Sequence, residues 1–263
     1  MKIAAFTFLL AWFNIIDSNN KMNDSIPYTE VNLINISQQL LLAAKTKEPT
    51  DSFVDILKNI SEEKMRNGLA SDNLKKTFWI NLYNAYTQII LSKDPSRYKK
   101  RNSFFGNRQI IIAGIKLSLD DIEHGILRRS KIKWSEGYFN KLFPSKFEKQ
   151  NRVDTVDSRI HFSLNCGARS CPPIAYYNPE NIDRQLNLAT TIYLKNETEY
   201  KAEENVLYLP AIMGWFRADF GGKKGMKIVL KKLNLFPAAA DAKIKFKKYD
   251  WNLYLNNYKT EAE

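Results

Sequence analysis

The stretch SDNLKKTFWINLYNAYTQIILSK, residues 71–93, has the apolar pattern of a long helix. Its apolar and aromatic side chains recur at steps of three and four residues, at Leu74, Phe78, Leu82, Tyr86, Ile89 and Ile90. This spacing places them on one face of an α-helix, and such a face is normally buried. Asp94-Pro95 follows directly and is a typical helix-ending pair. The sequence therefore predicts a long helix with a buried face, ending near residue 93.

Further helices are predicted on both sides of this stretch. Apolar residues at helical spacing indicate a helix over 29–45, and capping residues predict another that starts near Asp51. Ser118 is predicted to cap a helix in LSLDDIEHGILRR, residues 117–129, because acids lie at its start and arginines at its end. Later helices are predicted at 181–195, in AIMGWFRADF (211–220) and in KKGMKIVLKKLNLF (223–236).

Strands are predicted where the apolar residues change to a shorter period. RQIIIAGIKLSL is predicted to form two strands around Gly114, and EYKAEENVLYLP a hairpin around Glu204-Asn205. Single strands are predicted in RIHFSLN (159–165) and KIKFKKYDW (243–251). The chain has no internal repeat and no long linker. It is therefore predicted to form one α+β domain, with a helical N-terminal half packed on a small, mostly antiparallel sheet.

The first 18 residues are predicted to be a signal peptide. Lys2 supplies a positive charge, and the apolar run from Ile3 to Ile16 is too short to span a bilayer comfortably but suits a signal-peptide core. Cleavage after Ser18 would give a protein exported to the periplasm or the cell exterior. The alternatives are a buried N-terminal helix or an uncleaved anchor. Residues 19–71 are then a helical segment, and residues 254–263 a loose tail.

Composition and charge limit the possible functions. The chain is 44% hydrophobic and 26% charged, which is typical of a globular protein and excludes both a disordered chain and a multispan membrane protein. The net charge is +12, but the lysines are dispersed and form no known nucleic-acid motif, so no nucleic-acid partner is predicted. Anionic envelope lipids or acidic glycans are the predicted partners, with a solvated basic surface as the alternative. We predict a monomer without a cofactor.

The stretch RIHFSLNCGARSCPPI, residues 159–174, contains His161, Cys166 and Cys171. The chain has two histidines and two cysteines in total, and the fourth of these residues is His124. Four interpretations are open: a thiol active site, a Cys166–Cys171 disulfide, a zinc site, or residues buried in the core. A disulfide is the main rival of thiol catalysis, because an even number of cysteines in an exported protein usually indicates a bridge.

For thiol catalysis, Cys166 is the better candidate nucleophile. Gly167 follows it, so a substrate could approach the backbone and a backbone N–H would be available, whereas two prolines follow Cys171. His124 or His161 would be the base. The acid that orients the base would be Asp120 or Asp121, which precede His124 by four and three residues; Glu123 is its direct neighbour. Amides in an apolar helix need hydrogen-bond partners, so two interpretations of Asn81 and Asn84 are open: they face the site, or they form simple interhelical hydrogen bonds.

Five blocks together resemble a known family. FWINLYNAY, LSLDDIEHGILR, RIHFSLNCGARSCPPI, GWFRADF and KKYDWNL are similar, in order and spacing, to the domain of unknown function 547, over residues 72–253. The resemblance implies a shared polar cluster of His124, His161, Cys166 and Cys171 with Asn81, Asn84 and Arg169. Ser158 departs from the family pattern, in which proline usually precedes this arginine. The resemblance implies no activity.

Two functional hypotheses follow. The first is an exported enzyme with a papain-like or transglutaminase-like thiol site, which acts as a hydrolase or acyl transferase on an amide or acyl bond of an unidentified substrate. The second is a non-catalytic envelope-binding module, in which a disulfide or zinc closes the Cys166–Cys171 loop. The first is motivated by the concentration of cysteine and histidine around one loop, and the second by the net charge and the leader.

Overall fold

The helix predicted at residues 71–93 is central to the fold. It runs from Asp72 to Lys93, and the Ser71 hydroxyl caps it by accepting the Leu74 N–H over 3.4 Å. The sequence pattern predicts one buried face, but every residue from 75 to 88 is buried. The helix is therefore enclosed on all sides, because other elements pack on its polar face as well.

The computed structural model describes residues 32–237 and 241–259. Within these ranges the α-helices are α1 (Leu33–Thr46), α2 (Asp51–Asn59), α3 (Glu62–Gly68), α4 (Asp72–Lys93), α5 (Arg101–Gly106), α6 (Lys146–Asn151), α7 (Ile182–Glu197), α8 (Ala211–Trp215) and α9 (Gly222–Lys232). The strands are β1 (Ile110–Ile112), β2 (Ile115–Leu117), β3 (Glu199–Lys201), β4 (Val206–Leu209) and β5 (Lys243–Phe246). Asp121–Leu127 is a π-helical segment, and Pro95–Lys100, Lys133–Ser135 and Ser158–Phe162 are short 3₁₀ helices. The predicted signal peptide lies outside the described residues.

The strands form two small sheets. β1 and β2 are an antiparallel hairpin around Gly114, as predicted. β3, β4 and β5 form the second sheet in that order, with β3 antiparallel and β5 parallel to β4. The α+β class is therefore confirmed, and the predicted hairpin around Glu204-Asn205 joins β3 to β4. No helix in the described ranges is both long and apolar enough to cross a bilayer.

The strand predicted at residues 159–165 is wrong. Ser158–Phe162 is a 3₁₀ helix, and the Asp157 carboxylate starts it by accepting the Arg159 N–H over 3.1 Å. The Ser163 hydroxyl then donates to the Ile160 carbonyl over 2.7 Å. The β-branched and aromatic residues of this stretch reflect burial rather than an extended backbone, since local side-chain hydrogen bonds determine its conformation.

The described part of the predicted loose tail is held against the fold. Tyr254 N–H donates to the Gly167 carbonyl over 2.8 Å, and Asn256 N–H donates to the Gln88 side chain over 3.0 Å. A parallel bridge joins Tyr258 to Ile174. Residues 254–259 are therefore an ordered part of the domain, because the loop after Cys166 offers unpaired backbone groups that this segment satisfies.

Candidate functional site

The two histidines and Cys166 line one cavity of about 650 Å³, which we call the central cavity. α4 and α5 contribute to its wall, together with the π-helical segment, α8 and residues near the C-terminus. Another hollow, of about 590 Å³, is lined by neither cysteine nor histidine. The chemically reactive side chains therefore converge on the central cavity, whose size suits a small ligand or part of a larger one.

A buried ion pair underlies the central cavity. Arg128 donates from Nε to Asp219 Oδ2 over 2.6 Å, and both side chains are fully buried. Arg128 also contacts the Phe216 ring, with its guanidinium carbon 4.5 Å from the ring centroid. Burial alone would raise the pKa of Asp219, but hydrogen bonds from His161 and Arg128 outweigh it and hold that pKa below its usual value. Asp219 is therefore a permanent negative charge near neutral pH.

Asp219 orients His161. The Nε2 atom of His161 lies 2.9 Å from Asp219 Oδ2, and the ring stacks on Phe216 with centroids 3.8 Å apart. Burial lowers the pKa of His161 below its ordinary value of 6.5, although Asp219 opposes the shift. The ring is consequently neutral at pH 7, with its proton on Nε2 toward the carboxylate. Nδ1 keeps a lone pair and has no hydrogen-bond partner among the described residues.

His124 has both ring nitrogens engaged. Nδ1 lies 2.9 Å from Arg128 Nη1, which can only donate, so Nδ1 accepts. The ring proton must then be on Nε2, which is 3.5 Å from Asp120 Oδ1. Lys133 donates to the same carboxylate over 2.8 Å. His124 therefore has no free lone pair, which leaves His161 as the better base in the central cavity.

The low pKa of His161 predicts a loss of stability in weak acid. Below about pH 6.5 the unfolded chain binds a proton at His161 that the folded chain does not, so the free energy of unfolding falls as pH drops. The slope from this group is at most about 1.4 kcal/mol per pH unit. Asp219, whose pKa is depressed, adds a further loss only below about pH 4.

Urea unfolding between about pH 7.5 and pH 5.5 tests this prediction in the native protein and in His161→Gln. Glutamine can still donate to Asp219 but does not titrate. The variant should show a shallower pH dependence than the native protein. Equal slopes in the two proteins would contradict the assignment of a buried, neutral His161.

Cys166 and Cys171 form a disulfide, so Cys166 is not a free thiol in this structure. This observation also removes the zinc interpretation for the pair, and no described group of three or more His, Cys, Asp or Glu is arranged to hold a metal ion.

Gly167 has a φ of +85°, and a Cβ there would lie 2.8 Å from Leu91 Cδ1. Glycine is therefore required within the loop of residues 166–171, which we call the disulfide loop.

The expected free N–H of Gly167 is already used. It donates to Asn165 Oδ1 over 2.9 Å, because the loop folds back on the asparagine side chain. Asn84 in turn accepts the Asn165 N–H over 2.8 Å and donates to the Ser163 carbonyl over 2.9 Å. Asn84 therefore anchors the backbone that leads into Cys166 and is not among the residues that line the central cavity.

The two sulfur atoms have different environments. Cys166 is partly exposed and lines the central cavity, whereas Cys171 is only 4% exposed. The Cys171 sulfur accepts hydrogen bonds from Cys166 N–H over 3.0 Å, Ala168 N–H over 3.3 Å and the Tyr249 hydroxyl over 3.2 Å. Three donors would stabilise a Cys171 thiolate, which makes Cys171 the better leaving group when the disulfide is attacked at Cys166.

The other predicted site residues have separate roles. Asp121 Oδ2 accepts the Ser118 N–H over 3.0 Å, so Asp121 caps the turn rather than orienting a histidine. Asn81 binds the backbone of Tyr177 through both its oxygen and its nitrogen. Arg169 is exposed, with Nε 3.6 Å from Asp250. These residues position the surrounding segments and are not among the residues lining the central cavity.

Glu123 does line the central cavity. Its Oε2 accepts the Tyr83 hydroxyl over 3.3 Å. Burial raises the pKa of Tyr83 well above its ordinary value, and the Glu123 charge raises it further. The Tyr83 phenol is therefore protonated and fixes the Glu123 carboxylate in the wall.

An aromatic cluster of Trp215, Tyr249 and Trp251, none of which is predicted as a site residue from the sequence, also lines the central cavity. Trp215 stacks on Trp251 with centroids 5.3 Å apart, and Tyr249 packs 4.7 Å from each of them. Trp215 is exposed, so this wall faces the interior of the cavity and the solvent. Asp219 is likewise not among the site residues that the sequence predicts. The signal that could have identified it is an acid flanked by aromatic residues in GWFRADF, because a buried carboxylate needs a partner.

Comparison with known families agrees with the resemblance in the sequence. Residues 67–194 match the model of DUF547, a family described as a protein of unknown function. This segment carries the DUF547 signature. The match includes His124, His161, Cys166 and Cys171, while Asp219, Trp215 and Tyr249 lie beyond it. No curated protein and no solved structure matches the chain, so a papain-like or transglutaminase-like fold stays a prediction.

Proposed function

We propose that the central cavity is the active site of a thiol-dependent hydrolase or acyl transferase that acts on an amide or ester carbonyl. Cys166 is the nucleophile, His161 the base and Asp219 the residue that orients the base. The observation that carries the proposal is that one cavity contains Cys166 together with a buried histidine whose Nε2 is held by Asp219 and whose Nδ1 is unpaired. A cysteine nucleophile needs a base that a third group orients in this way, and the thiol must come within hydrogen-bond reach of that base.

The disulfide is the resting form in this proposal, and a thiol reductant opens it. The reductant thiolate attacks Cys166 Sγ, the S–S bond breaks, and Cys171 leaves as a thiolate held by its three donors. A second thiol of the same reductant then attacks the mixed disulfide. Cys166 is released, and the reductant itself becomes a disulfide. In the oxidised protein Nδ1 of His161 has no partner, so the freed Cys166 side chain must rotate to reach it.

The chemical steps then use Cys166 and His161 of the central cavity, together with Asp219, which is hydrogen-bonded to His161. Cys166 transfers its proton to His161 Nδ1, and its sulfur attacks the carbonyl carbon of the substrate. The leaving amine or alcohol takes this proton as the C–N or C–O bond breaks, which leaves a thioester. Water, or an acceptor nucleophile, loses a proton to His161 and attacks the thioester, and the C–S bond breaks as sulfur regains the proton. Asp219 stabilises the imidazolium that forms in each half-reaction.

Alkylation of Cys166 tests the proposal. After mild reduction, iodoacetamide should label Cys166 faster than Cys171, because Cys166 faces the central cavity and Cys171 is buried. His161→Gln should lower the labelling rate of Cys166 at pH 7 by about tenfold or more, since the thiolate loses its base. Peptide mass spectrometry against time measures both rates, and circular dichroism checks that each variant folds.

His124→Gln is the matched control. It replaces the other cavity histidine, whose two nitrogens are occupied by Arg128 and Asp120. We expect the labelling rate of Cys166 to change by less than about threefold in this variant. The enzymatic proposal would be contradicted if Cys166 stayed unreactive toward iodoacetamide after reduction. It would also be contradicted if the two histidine variants changed the labelling rate of Cys166 equally.

The second candidate is a non-catalytic binding module, which the disulfide itself favours. The bond closes the disulfide loop, Tyr249 contacts both sulfur atoms over 3.4 and 3.2 Å, and the aromatic wall offers stacking surface to a ligand. Under this alternative the protein is exported and binds an anionic envelope surface or acidic glycans, in line with its net charge of +12. A disulfide that resists mild reduction in intact-mass measurements would support it over the enzyme.

A further inference from the structure

Five large apolar side chains protrude from one short loop. They are the most exposed large apolar side chains among the described residues, since every other exposed large apolar residue there is at most 47% exposed. We call residues 134–143 the aromatic loop; its protruding members are Trp134 (77% exposed), Tyr138 (56%), Phe139 (60%), Leu142 (86%) and Phe143 (93%). Single exposed apolar residues are ordinary, but a contiguous group of this size marks an interaction surface.

The fold holds the aromatic loop in place. Lys131 and Asn140 form an antiparallel bridge across its base, and the Ser135 hydroxyl donates to the Ile132 carbonyl over 2.8 Å. Gly137 is buried against the Asp219 carboxylate, and the Glu136 carbonyl accepts the Ala218 N–H over 2.9 Å. The backbone is therefore anchored while the apolar side chains point outward, so their exposure does not come from a loose loop.

The surroundings of the aromatic loop are basic. Six basic and two acidic residues lie between Arg129 and Lys149. Both acids are paired, Glu136 with Arg217 over 3.2 Å and Glu148 with Lys141 over 3.1 Å. Lys146 and Lys149 are exposed beside the loop. The surface around the protruding side chains is therefore positively charged.

We propose that the aromatic loop docks this protein on an anionic lipid bilayer. Aromatic rings are favoured at the membrane–water interface, and flanking lysines are attracted to anionic headgroups. The exposed fraction of these five residues is 56–93%. Such protruding side chains suit insertion between headgroups better than packing against a flat protein face. Trp134 also lines the central cavity, so docking places the cavity opening next to the headgroups. This inference is independent of the thiol chemistry proposed above.

The test uses a local reporter, because the apolar run Ile3–Ile16 could bind lipid by itself. Leu142→Cys is labelled with an environment-sensitive fluorophore in the full chain, with the native disulfide kept oxidised. Its emission should shift to the blue and gain intensity severalfold on vesicles of phosphatidylcholine with about 30 mol% phosphatidylglycerol. Phosphatidylcholine alone should have a much smaller effect, and added salt should reverse much of the change. The added variant Phe143→Ser should reduce the vesicle-induced change of this label about severalfold.

Ile228→Cys on α9 is the matched control, since Ile228 is 47% exposed and lies outside the loop. Its label should respond little to the same vesicles. Equal responses at residues 142 and 228, or no response at 142, would overturn the proposal. So would a blue-shifted emission of the residue 142 label without vesicles. In that case concentration dependence would assign the loop to a second copy of the chain, and concentration independence to contact with another segment of the same chain.

Discussion

Replacing Asp219 with alanine is expected to lower the free energy of unfolding by about 3–5 kcal/mol, the usual cost of leaving one partner of a buried ion pair. Arg128 would keep its charge, because a guanidinium does not lose its proton, and its side chain is fully buried. The Nε2 donor of His161 would also lose its acceptor. Urea unfolding monitored by circular dichroism measures the effect.

Asp183→Ala is the matched control for this loss. Asp183 also pairs with an arginine, Arg159, over 2.7 Å, but its side chain is 64% exposed. An exposed pair contributes about 0–1 kcal/mol, so the control should lose little stability. Asp219→Asn should fall between the two, because the amide keeps an acceptor oxygen but not the charge. If Asp219→Ala cost no more than Asp183→Ala, the buried ion pair would not be important for stability.

Gly137→Ala is expected to have the second-largest effect. The glycine has a φ of +92°, where an L-residue costs about 1–2 kcal/mol. A Cβ would also collide with Asp219 Oδ1 and lie 2.9 Å from Arg128 Nη2. Because both atoms belong to the buried ion pair and cannot easily move, we expect a further loss of about 1–3 kcal/mol from overpacking. Denaturant unfolding reports the total.

Gly114→Ala separates the two contributions. Gly114 has a similar φ of +74°, but a Cβ there would meet nothing within 4 Å. This variant should therefore show only the backbone cost of about 1–2 kcal/mol. If the free energy of unfolding fell equally in both alanine variants, the contact between the aromatic loop and Asp219 would not contribute to stability. The labelling rate of Cys166 in Gly137→Ala would then show whether the contact affects the central cavity.

Much of the fold could be predicted from local pattern. The period of residues 71–93 identified α4, and Gly114 identified the β1–β2 hairpin, because these signals involve neighbours in sequence. The strand prediction for residues 159–165 is wrong because a buried 3₁₀ helix and a buried strand share the same apolar composition. Burial can be read from residue type, whereas backbone conformation there depends on the Asp157 and Ser163 side chains.

The candidate site was predictable only in part. Rarity of residue type was enough to point to His124, His161 and Cys166, which do line one cavity. The partner of His161 was not predicted, because Asp219 lies 58 residues away and only the tertiary fold brings it within 2.9 Å. Cysteine count left disulfide and thiol open, since a five-residue separation is compatible with both.

The anchoring of residues 254–259 has a practical consequence for where the end of the domain is placed. A fragment cut at the limits of the family match, residues 67–194, would retain every histidine and cysteine. It would nevertheless leave the guanidinium of Arg128 without a counter-ion, and the backbone of Gly167 and Ile174 without the chain that covers it. The cooperative unit is thus longer than the segment by which relatives are recognised, and recombinant fragments or domain transplants should extend at least to Lys259.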